Sequence, residues 1–327
     1  MSRDFVLGLD GGGSKTILAV ADRHGSIMAL HRGPGLDPHD NPQWRDDFAG
    51  MVQAIGTRAG DLRRAVLGLS CHTESRAISE AQTAWVGGLF AIPSDVLNDV
   101  HVAFEGAFAG RAGVLALAGT GSMAWAGDGR GSHRRAGGWG DLIGDEGSGY
   151  WIGREALSET TRALDGRAGS EDFANRLLDH LGLGRGDLIA WVYGLRNRRS
   201  AIAALAVFVD RLAASGDPTA RAMIERAADH LCDQVEAAWR LLGLPQPLVW
   251  THAGGLFEGA LIGPHMQKRL GPPAAPALPP VGGAILLAAQ RSGWTTDAAW
   301  RSRLAAALAD VIRPGGVPEH SEQGWTA

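Results

Sequence analysis

The feature that most constrains the fold is a short apolar strand, a glycine-rich turn and a second strand, and this arrangement occurs twice. The two copies comprise residues 5–10, 11–14 and 16–22, and residues 113–118, 119–122 and 123–126. Their turns begin at Gly11 and Gly119, about 108 residues apart. A tight glycine turn bares backbone N–H groups that can cradle a phosphate. The repeat therefore predicts two domains of one type, whose turns would hold a polyphosphate from both sides.

The first turn, in Asp10-Gly-Gly-Gly-Ser-Lys-Thr16, differs from two better-known phosphate motifs. A P-loop has Gly directly before Lys-Thr, where this chain has Ser14. A dinucleotide fingerprint has a third Gly where Thr16 stands, and a helix after it, whereas residues 16–22 read as a strand. The segment is either a phosphate-binding turn or a plain glycine hairpin. Asp10, at the end of the strand, could hold a metal ion or its waters.

The rest of the chain predicts an α/β protein. A length of 327 residues corresponds to about two domains. Further strands end near 70 and 98, and residues 150–242 carry helical periodicity. We expect a first domain over 1–110, a second with a helical insertion over 111–295, and a C-terminal helix near 296–312 packed on the first.

Composition and charge exclude several classes of protein. Apolar residues make up 45% of the chain, which rules out disorder as its main state. A net charge of −4 does not suit a nucleic-acid binder. The uncharged stretch over 270–290 holds five prolines, so it predicts no membrane helix. Two cysteines and no apolar leader favour the cytoplasm.

Two further motifs carry chemistry. Asp99 follows a predicted strand and opens a helix, where an Asp is often a helix cap, but in a phosphotransferase it could accept a proton from an attacking hydroxyl. Residues 137–153 hold seven glycines, three carboxylates and three aromatic rings. Rings that stack on C–H faces and carboxylates that accept hydroxyl hydrogens suit a sugar, although a structural loop is the alternative.

These motifs together resemble the BadF/BadG/BcrA/BcrD-type ATPase family, and within it the N-acetylglucosamine and glucosamine kinases. The resemblance rests on the two glycine turns, Asn98-Asp99, the Gly-Gly-Trp-Gly to Gly-Asp-Glu-Gly-Ser loop and a late Ala-Gly-Gly at 253–255. It implies an α/β fold of two ribonuclease-H-like (actin-like ATPase) domains with a central cleft. It also implies ATP and Mg²⁺ as cofactors, an amino sugar as substrate and a homodimer.

The resemblance also implies roles for single residues. Asp10 would order the magnesium shell, and Asp99 would be the catalytic base. ATP would contact Gly12, Gly13, Ser14, Lys15, Thr120, Gly121, Ala203, Gly254 and Gly255. The sugar would contact Asp99, Gly138, Trp139, Gly140 and Asp145.

The chain departs from the hexosamine kinases in two loops expected near the sugar. These kinases usually place an Asn after the third strand, where Asp37 or Asn41 stands in here. The loop after the fourth strand contains Glu74. A carboxylate would pair with an ammonium group at carbon 2, whereas an acetyl group would need an apolar pocket. We therefore expect ATP-dependent phosphorylation of the 6-hydroxyl, with glucosamine favoured and N-acetylglucosamine next.

Other interpretations stay open. Relatives of this family include energy-coupling ATPases that drive electron transfer to a CoA-ester dehydratase or reductase through an iron–sulfur cluster at a dimer interface. Cys71 and Cys232 from each subunit would give four ligands, but one lies in a substrate-side loop and the other in a predicted helix. A sugar sensor without catalysis is disfavoured because Asp10 and Asp99 are both present. Cys71 and His72 lack a third residue that would make them a nucleophilic pair.

Overall fold

The structure, a computed structural model, describes residues 4–54, 56 and 61–312. The described residues form two compact units. Unit 1 consists of the residues up to Arg111 together with those from Ala275 onward, and unit 2 runs over Ala112–Ala274.

Unit 1 contains one five-stranded sheet. Its strands are β1 (Phe5–Gly11), β2 (Lys15–Asp22), β3 (Ile27–Pro34), β4 (Leu62–Leu69) and β5 (Ser94–Asn98), and its helices are α1 (Trp44–Ala54), α2 (Arg76–Leu89), α3 (Asp99–Phe108), α10 (Pro280–Arg291) and α11 (Ala298–Ile312). The strand order is β3-β2-β1-β4-β5. The first three strands form an antiparallel meander, and β4 and β5 continue parallel to β1.

Both faces of this sheet are buried, as expected for strands that helices connect. Phe5, Leu7 and Leu9 of β1 point to one core, which α1 and α2 cover. Val6 points to the other core, which α10 and α11 cover. Gly8 lies on the same face as Val6 and leaves room for α10, because a Cβ at this position would lie 2.7 Å from a side-chain carbon of Ile285.

The segment 275–295 lies in unit 1, although the sequence placed it in the second domain. The physical reason is close packing of α10 on α3. Gly106 and Gly283 face each other so tightly that a Cβ on Gly283 would overlap the carbonyl of Val102. The backbone N–H of Ala277 also donates to the carbonyl of Ala107 at 2.9 Å.

Unit 2 contains a four-stranded sheet in the order β8-β7-β6-β9. Its strands are β6 (Gly113–Ala118), β7 (Ser122–Gly127), β8 (His133–Gly137) and β9 (Trp250–Ala253). Its α-helices are α4 (Gly149–Leu164), α5 (Glu171–Leu181), α6 (Leu188–Gly194), α7 (Arg198–Ala214), α8 (Pro218–Leu241) and α9 (Ile262–Leu270), and a short 3₁₀ helix spans Gly255–Glu258. The α8 helix begins as its sequence predicts, because Asp217 caps it by accepting from the N–H of Ala220.

The predicted repeat is confirmed by the topology of the two sheets. In each unit a glycine turn joins two antiparallel strands, a third strand extends the meander, and a later strand returns parallel to the first. The chain therefore has the expected α/β architecture of two ribonuclease-H-like domains. Within the described residues, no helix is both long enough and apolar enough to span a membrane.

Candidate active site

The first glycine turn of unit 1 is held by the strand end that follows it. The N–H of Gly12 donates to the carbonyl of Lys15 at 3.2 Å, and the carbonyl of Gly12 accepts from the N–H of Leu36 at 3.1 Å. Gly35 packs so closely that a Cβ there would overlap the carbonyl oxygen of Gly13. Gly13, Ser14 and Lys15 are exposed. The turn is thus a fixed, open backbone of the kind that binds phosphate.

Asp10 and Asp99 come together at the carboxyl edge of the same sheet. Asp10, the last residue but one of β1, lies opposite Gly68 of β4, and a Cβ on Gly68 would lie 3.2 Å from the Cα of Asp99. The absence of a side chain at Gly68 therefore lets α3 start against the sheet. The Ser70 hydroxyl lies 3.2 Å from both Asp99 Oδ2 and the carbonyl of Gly11.

The surroundings make both carboxylates hard to ionise. Burial and, to a smaller extent, the charge of Asp99 together raise the pKa of Asp10 to about 7, against the opposing effect of the Lys15 ammonium. Burial raises the pKa of Asp99 to about 6, helped by the charge of Glu74 and opposed by the Ser70 hydroxyl. A nearby cation stabilises the ionised form of such carboxylates, and oxygen atoms are the ligands that Mg²⁺ prefers. The donor set at Asp10 therefore fits the implied magnesium ion.

Asp99 is not the N-cap of α3, although its Oδ1 atom also accepts from the N–H of Val100 at 2.9 Å. The residue before it, Asn98, caps α3, because its side-chain oxygen accepts from the N–H of Val100 at 2.9 Å. The Asn98 amide group also donates to the carbonyl of His72 at 2.8 Å. Asn98 thereby ties the loop after β4 to the start of α3, and the Oδ2 atom of Asp99 is held by Ser70 instead.

The two loops of unit 1 that are expected near the sugar, one after β3 and one after β4, lie beside this pair. Asp37 is buried, and its Oδ2 atom lies 3.8 Å from the position of a Cβ on Gly13. Asn41, the other residue expected to replace the usual Asn, instead donates to the Gly35 carbonyl and to Asp47, both at 2.8 Å. Asp37 is therefore better placed than Asn41 to replace the usual Asn. Glu74 is exposed and close enough to raise the pKa of Asp99.

Cys71 and His72 have separate partners. The Cys71 sulfur contacts Asp37 and His39, whereas His72 Nδ1 lies 3.0 Å from Gln82 Oε1. Burial raises the pKa of the Cys71 thiol, and the charge of Asp37 adds to the effect. A protonated thiol is a poor nucleophile, which agrees with the absence of a catalytic pair.

In unit 2, the second glycine turn lies at the start of α4. The N–H groups of Gly149 and Tyr150 donate to the carbonyls of Gly119 and Thr120 at 2.8 and 3.2 Å. These two N–H groups at the start of α4 therefore hold the second glycine turn in place. Ala203 lies on α7 against the same helix start, because a Cβ on Gly149 would lie 3.2 Å from its carbonyl.

Asp145 from the glycine and tryptophan loop reaches this turn as half of an ion pair. Its Oδ2 accepts from Arg199 Nη2 at 3.0 Å, and a Cβ on Gly121 would lie within 2.8 Å of both groups. Burial raises the pKa of Asp145, and the Arg199 guanidinium opposes that rise. Sequence reasoning missed Arg199, since a lone arginine at the start of a helix carries no motif.

The rest of this loop is open. Trp139 is 64% exposed, and the Arg135 guanidinium lies over its ring at 5.1 Å from the centroid. Gly138 and Gly140 have φ of 69° and 82°, which residues with a Cβ rarely adopt. The loop begins directly after β8, a strand that the sequence analysis did not predict.

Gly254 and Gly255 follow β9 and are exposed. Gly254 has φ of 106°, and a Cβ there would overlap the carbonyl of Ala118 at the end of β6. The late turn therefore lies next to the second glycine turn. Phe257 stacks on the His252 ring with centroids 4.2 Å apart, which gives this turn an aromatic flank that sequence reasoning missed.

Two ribonuclease-H-like units, each with a glycine turn between its first two strands, define a two-domain protein of the actin-like ATPase fold. A solved structure of a ROK family glucokinase from Streptomyces griseus shares this fold, with a TM-score of 0.54 and 18% identity over 88% of this chain and 98% of that one.

The family follows from the sequence. The model of the BadF/BadG/BcrA/BcrD ATPase family matches residues 7–288, and the chain belongs to this family. It is 29% identical over 267 residues to an N-acetylmuramic acid/N-acetylglucosamine kinase of Clostridium acetobutylicum, covering 78% of this chain and 86% of that protein. It is 28% identical over 294 residues to an N-acetyl-D-glucosamine kinase of Dictyostelium discoideum, covering 83% and 91%.

The solved structures include a candidate N-acetylglucosamine kinase of Chromobacterium violaceum. The two structures align with a TM-score of 0.73 and 27% identity, over 88% of this chain and 100% of that one.

Proposed function

We propose that this protein is an ATP-dependent kinase that phosphorylates the 6-hydroxyl of an amino sugar. The observation that carries the proposal is the Asp10–Asp99 pair beside an exposed glycine turn. Such a pair suits phosphoryl transfer, where one carboxylate serves the metal and the other serves the incoming hydroxyl. The names of the two curated relatives support a sugar as the acceptor.

Asp99 is the proposed proton acceptor. A base with a pKa of about 6 is ionised at neutral pH and is a stronger base than an ordinary carboxylate. The sugar 6-hydroxyl loses its proton to Asp99, its oxygen bonds to the γ-phosphorus, and the bond to the β,γ-bridging oxygen breaks to release ADP. The Ser70 hydroxyl orients Oδ2 of Asp99 for this step.

The remaining residues supply binding and neutralise charge. Asp10 would hold magnesium or its waters, and the ion supplies neutralisation of phosphate charge when bound. The backbone of Gly12, Gly13 and Ser14 would take phosphate oxygens, and Lys15 adds a positive charge next to them. In unit 2, Gly121, Ala203 and Gly254 are the proposed ATP contacts.

Within the amino sugars we propose glucosamine ahead of N-acetylglucosamine. Asp37 and Glu74 place carboxylates in the loops beside Asp99, and an ammonium group at carbon 2 would pair with one of them. The relatives' names point to N-acetylated sugars. An assay of substrate preference therefore has to include both sugars.

The test is ADP release from Mg-ATP in the presence of glucosamine, N-acetylglucosamine, glucose or no sugar. Release that is strongest with glucosamine supports an amino-sugar kinase and the proposed preference for glucosamine. Preference for N-acetylglucosamine keeps the kinase and rejects the carboxylate argument. Sugar-independent hydrolysis, or no hydrolysis, contradicts the kinase.

A paired variant tests the amine contact. Glu74→Ala should reduce kcat/KM for glucosamine at least about tenfold more than for glucose, since a lost charged hydrogen bond costs about 1.5–3 kcal/mol. Glu80→Ala, which removes an exposed carboxylate that pairs with Arg76 on α2, is the control. Equal losses on both sugars would reject the role of Glu74.

The energy-coupling ATPase has less support. Cys71 and Cys232 are both buried, whereas ligands to a cluster shared between subunits must lie at a surface. The homodimer implied by the resemblance and the cytoplasmic location favoured by the cysteine content stay predictions, which light scattering and cell fractionation would test.

A further inference from the structure

Three metal-binding side chains converge behind the first glycine turn of unit 1. Asp37 and His39 follow β3, and Cys71 follows β4, so two separate loops supply the donors. One oxygen of Asp37, Nδ1 of His39 and Sγ of Cys71 all lie within 4.8 Å of one another. We propose that Asp37, His39 and Cys71 bind a Zn²⁺ ion that ties these two loops together.

The distances between the donors carry the proposal. Tetrahedral zinc with bonds of about 2.3 Å to sulfur, 2.05 Å to nitrogen and 2.0 Å to oxygen separates sulfur and nitrogen by about 3.6 Å, nitrogen and oxygen by about 3.3 Å, and sulfur and oxygen by about 3.5 Å. The structure has Cys71 Sγ 3.6 Å from His39 Nδ1 and 3.5 Å from Asp37 Oδ1. His39 Nδ1 lies 3.3 Å from Asp37 Oδ1. The three atoms therefore mark one face of a zinc tetrahedron.

One of these three contacts, between His39 and Asp37, is long for a hydrogen bond. A direct imidazole–carboxylate hydrogen bond is about 2.7–3.2 Å long, and charge shortens it further, so 3.3 Å is long for one. The His39 side chain is 66% exposed, so close packing does not force its ring into this position. Cys71 adopts a φ of 62°, a left-handed conformation that is uncommon for a residue with a Cβ, in the turn that carries its sulfur to the other two donors.

The chemistry of the donors selects zinc over magnesium. Thiolate and imidazole ligands suit zinc, whereas magnesium takes oxygen ligands in an octahedron. Binding would displace the thiol proton of Cys71 and leave the fourth position for a water molecule. The exposed ring of His39 gives the ion a path from solvent.

A bound zinc ion would hold the Asp37 carboxylate in one orientation. Oδ1 of Asp37 accepts from the backbone N–H of His39 at 2.9 Å and has a second lone pair for the metal. Oδ2 lies 3.6 Å from the Cys71 sulfur and 3.8 Å from the position of a Cβ on Gly13. The ion would therefore hold the carboxylate through Oδ1 and leave Oδ2 without a bond to the metal. This role stands whether or not the protein is a sugar kinase, because the tests below measure the metal itself.

The experiment uses the full-length protein, purified without a histidine tag or chelator and then given Zn²⁺ in competition with a chromogenic chelator. We expect one tight site per chain. Cys71→Ser and His39→Gln should each weaken zinc binding by at least about 100-fold, more than the 10–100-fold typical of losing a group that only orients a ligand. Cys232→Ser and His24→Gln remove a buried cysteine and an exposed histidine elsewhere and should bind like the wild type.

Cobalt provides a second readout that does not depend on affinity. The Co²⁺ protein should show a thiolate-to-cobalt absorption band and the strong visible bands of a tetrahedral ion, and Cys71→Ser should lose the thiolate band. Because His39 is exposed, His39→Gln is expected to fold even if the Cys71 variant does not. Zinc binding in the wild type that is no tighter than in His39→Gln, or a cobalt spectrum without the thiolate band, would overturn the proposal.

Discussion

At the scale of single residues, Asp10 and Asp99 share the edge of one sheet but have different neighbours. Lys15 offsets the burial of Asp10, whereas Glu74 adds a further negative charge near Asp99. The lower pKa of Asp99 comes with two hydrogen bonds to its charged form, from Ser70 and from the N–H of Val100. These differences agree with the proposed roles, in which Asp99 accepts a proton and Asp10 holds a cation.

Asp99→Asn tests the proposed base. The amide has nearly the same shape but cannot accept a proton, so kcat for sugar phosphorylation should fall by about 10²–10⁴-fold while KM for Mg-ATP changes little. Initial rates of ADP release measure both. Asp310→Asn removes an exposed carboxylate from α11 and should leave the rate unchanged. If Asp99→Asn kept more than a tenth of the activity, Asp99 would not be the base.

The pH dependence of the thermal stability of Asp10→Asn tests whether the pKa of Asp10 is raised. With a folded pKa of about 7, Asp10 holds a proton that the unfolded chain has lost above about pH 4, so its contribution to stability falls as the pH rises between these values. The variant should therefore raise Tm at pH 8 by several degrees, at about 2–4 °C for each kcal/mol, and the gain should shrink toward pH 4.

Thermal melts of Asp10→Asn and Asp310→Asn over this pH range supply the comparison. Added Mg²⁺ should raise the Tm of the wild type at pH 8 but should have little effect on Asp10→Asn. A gain in Tm that is the same at pH 4 and pH 8 would contradict the raised pKa of Asp10.

At the scale of elements, the end of β3 shapes the first glycine turn. Gly35→Ala places a methyl group onto the carbonyl of Gly13, so the turn must shift. We expect KM for Mg-ATP to rise at least tenfold, which corresponds to about 1.4 kcal/mol. Gly50→Ala is the matched control, because its Cβ enters open space on α1 and alanine favours a helix. A Gly35→Ala protein with unchanged KM would show that the turn does not hold the nucleotide.

The sequence predicts those elements whose signal is local. The strands around both turns and the start of α8 at Asp217 follow from apolar runs, glycines and a helix cap. The strand β8 has no such signal, because His-Arg-Arg-Ala-Gly is neither apolar nor strictly alternating, and its pairing with β7 defines it. Arg199 lies far along the chain from Asp145, so only tertiary structure brings them together.

At the scale of the molecule, the part of the chain that the structure describes passes from one unit to the other after Arg111 and again after Ala274. The sequence places the second boundary near 295, because local periodicity does not tell which sheet a helix covers. Glycines at Gly8, Gly106 and Gly283 let α10 pack closely on β1 and α3, and that packing assigns the helix to unit 1. Unit 2 is one continuous segment with its own core.

This connectivity predicts different fates for three fragments. Residues 112–274 should fold alone, because both the sheet and its helices lie within them. Residues 1–111 should not, since one face of their sheet, including Val6 and Val66, loses the cover of α10 and α11. Joining 1–111 to 275–327 through a short Gly/Ser linker should restore folding, because Ala107 and Ala277 are already hydrogen-bonded neighbours. Urea unfolding followed by circular dichroism distinguishes the fragments: a cooperative transition in 1–111 alone, as steep as in the joined protein, would contradict the assignment of α10 and α11 to this unit.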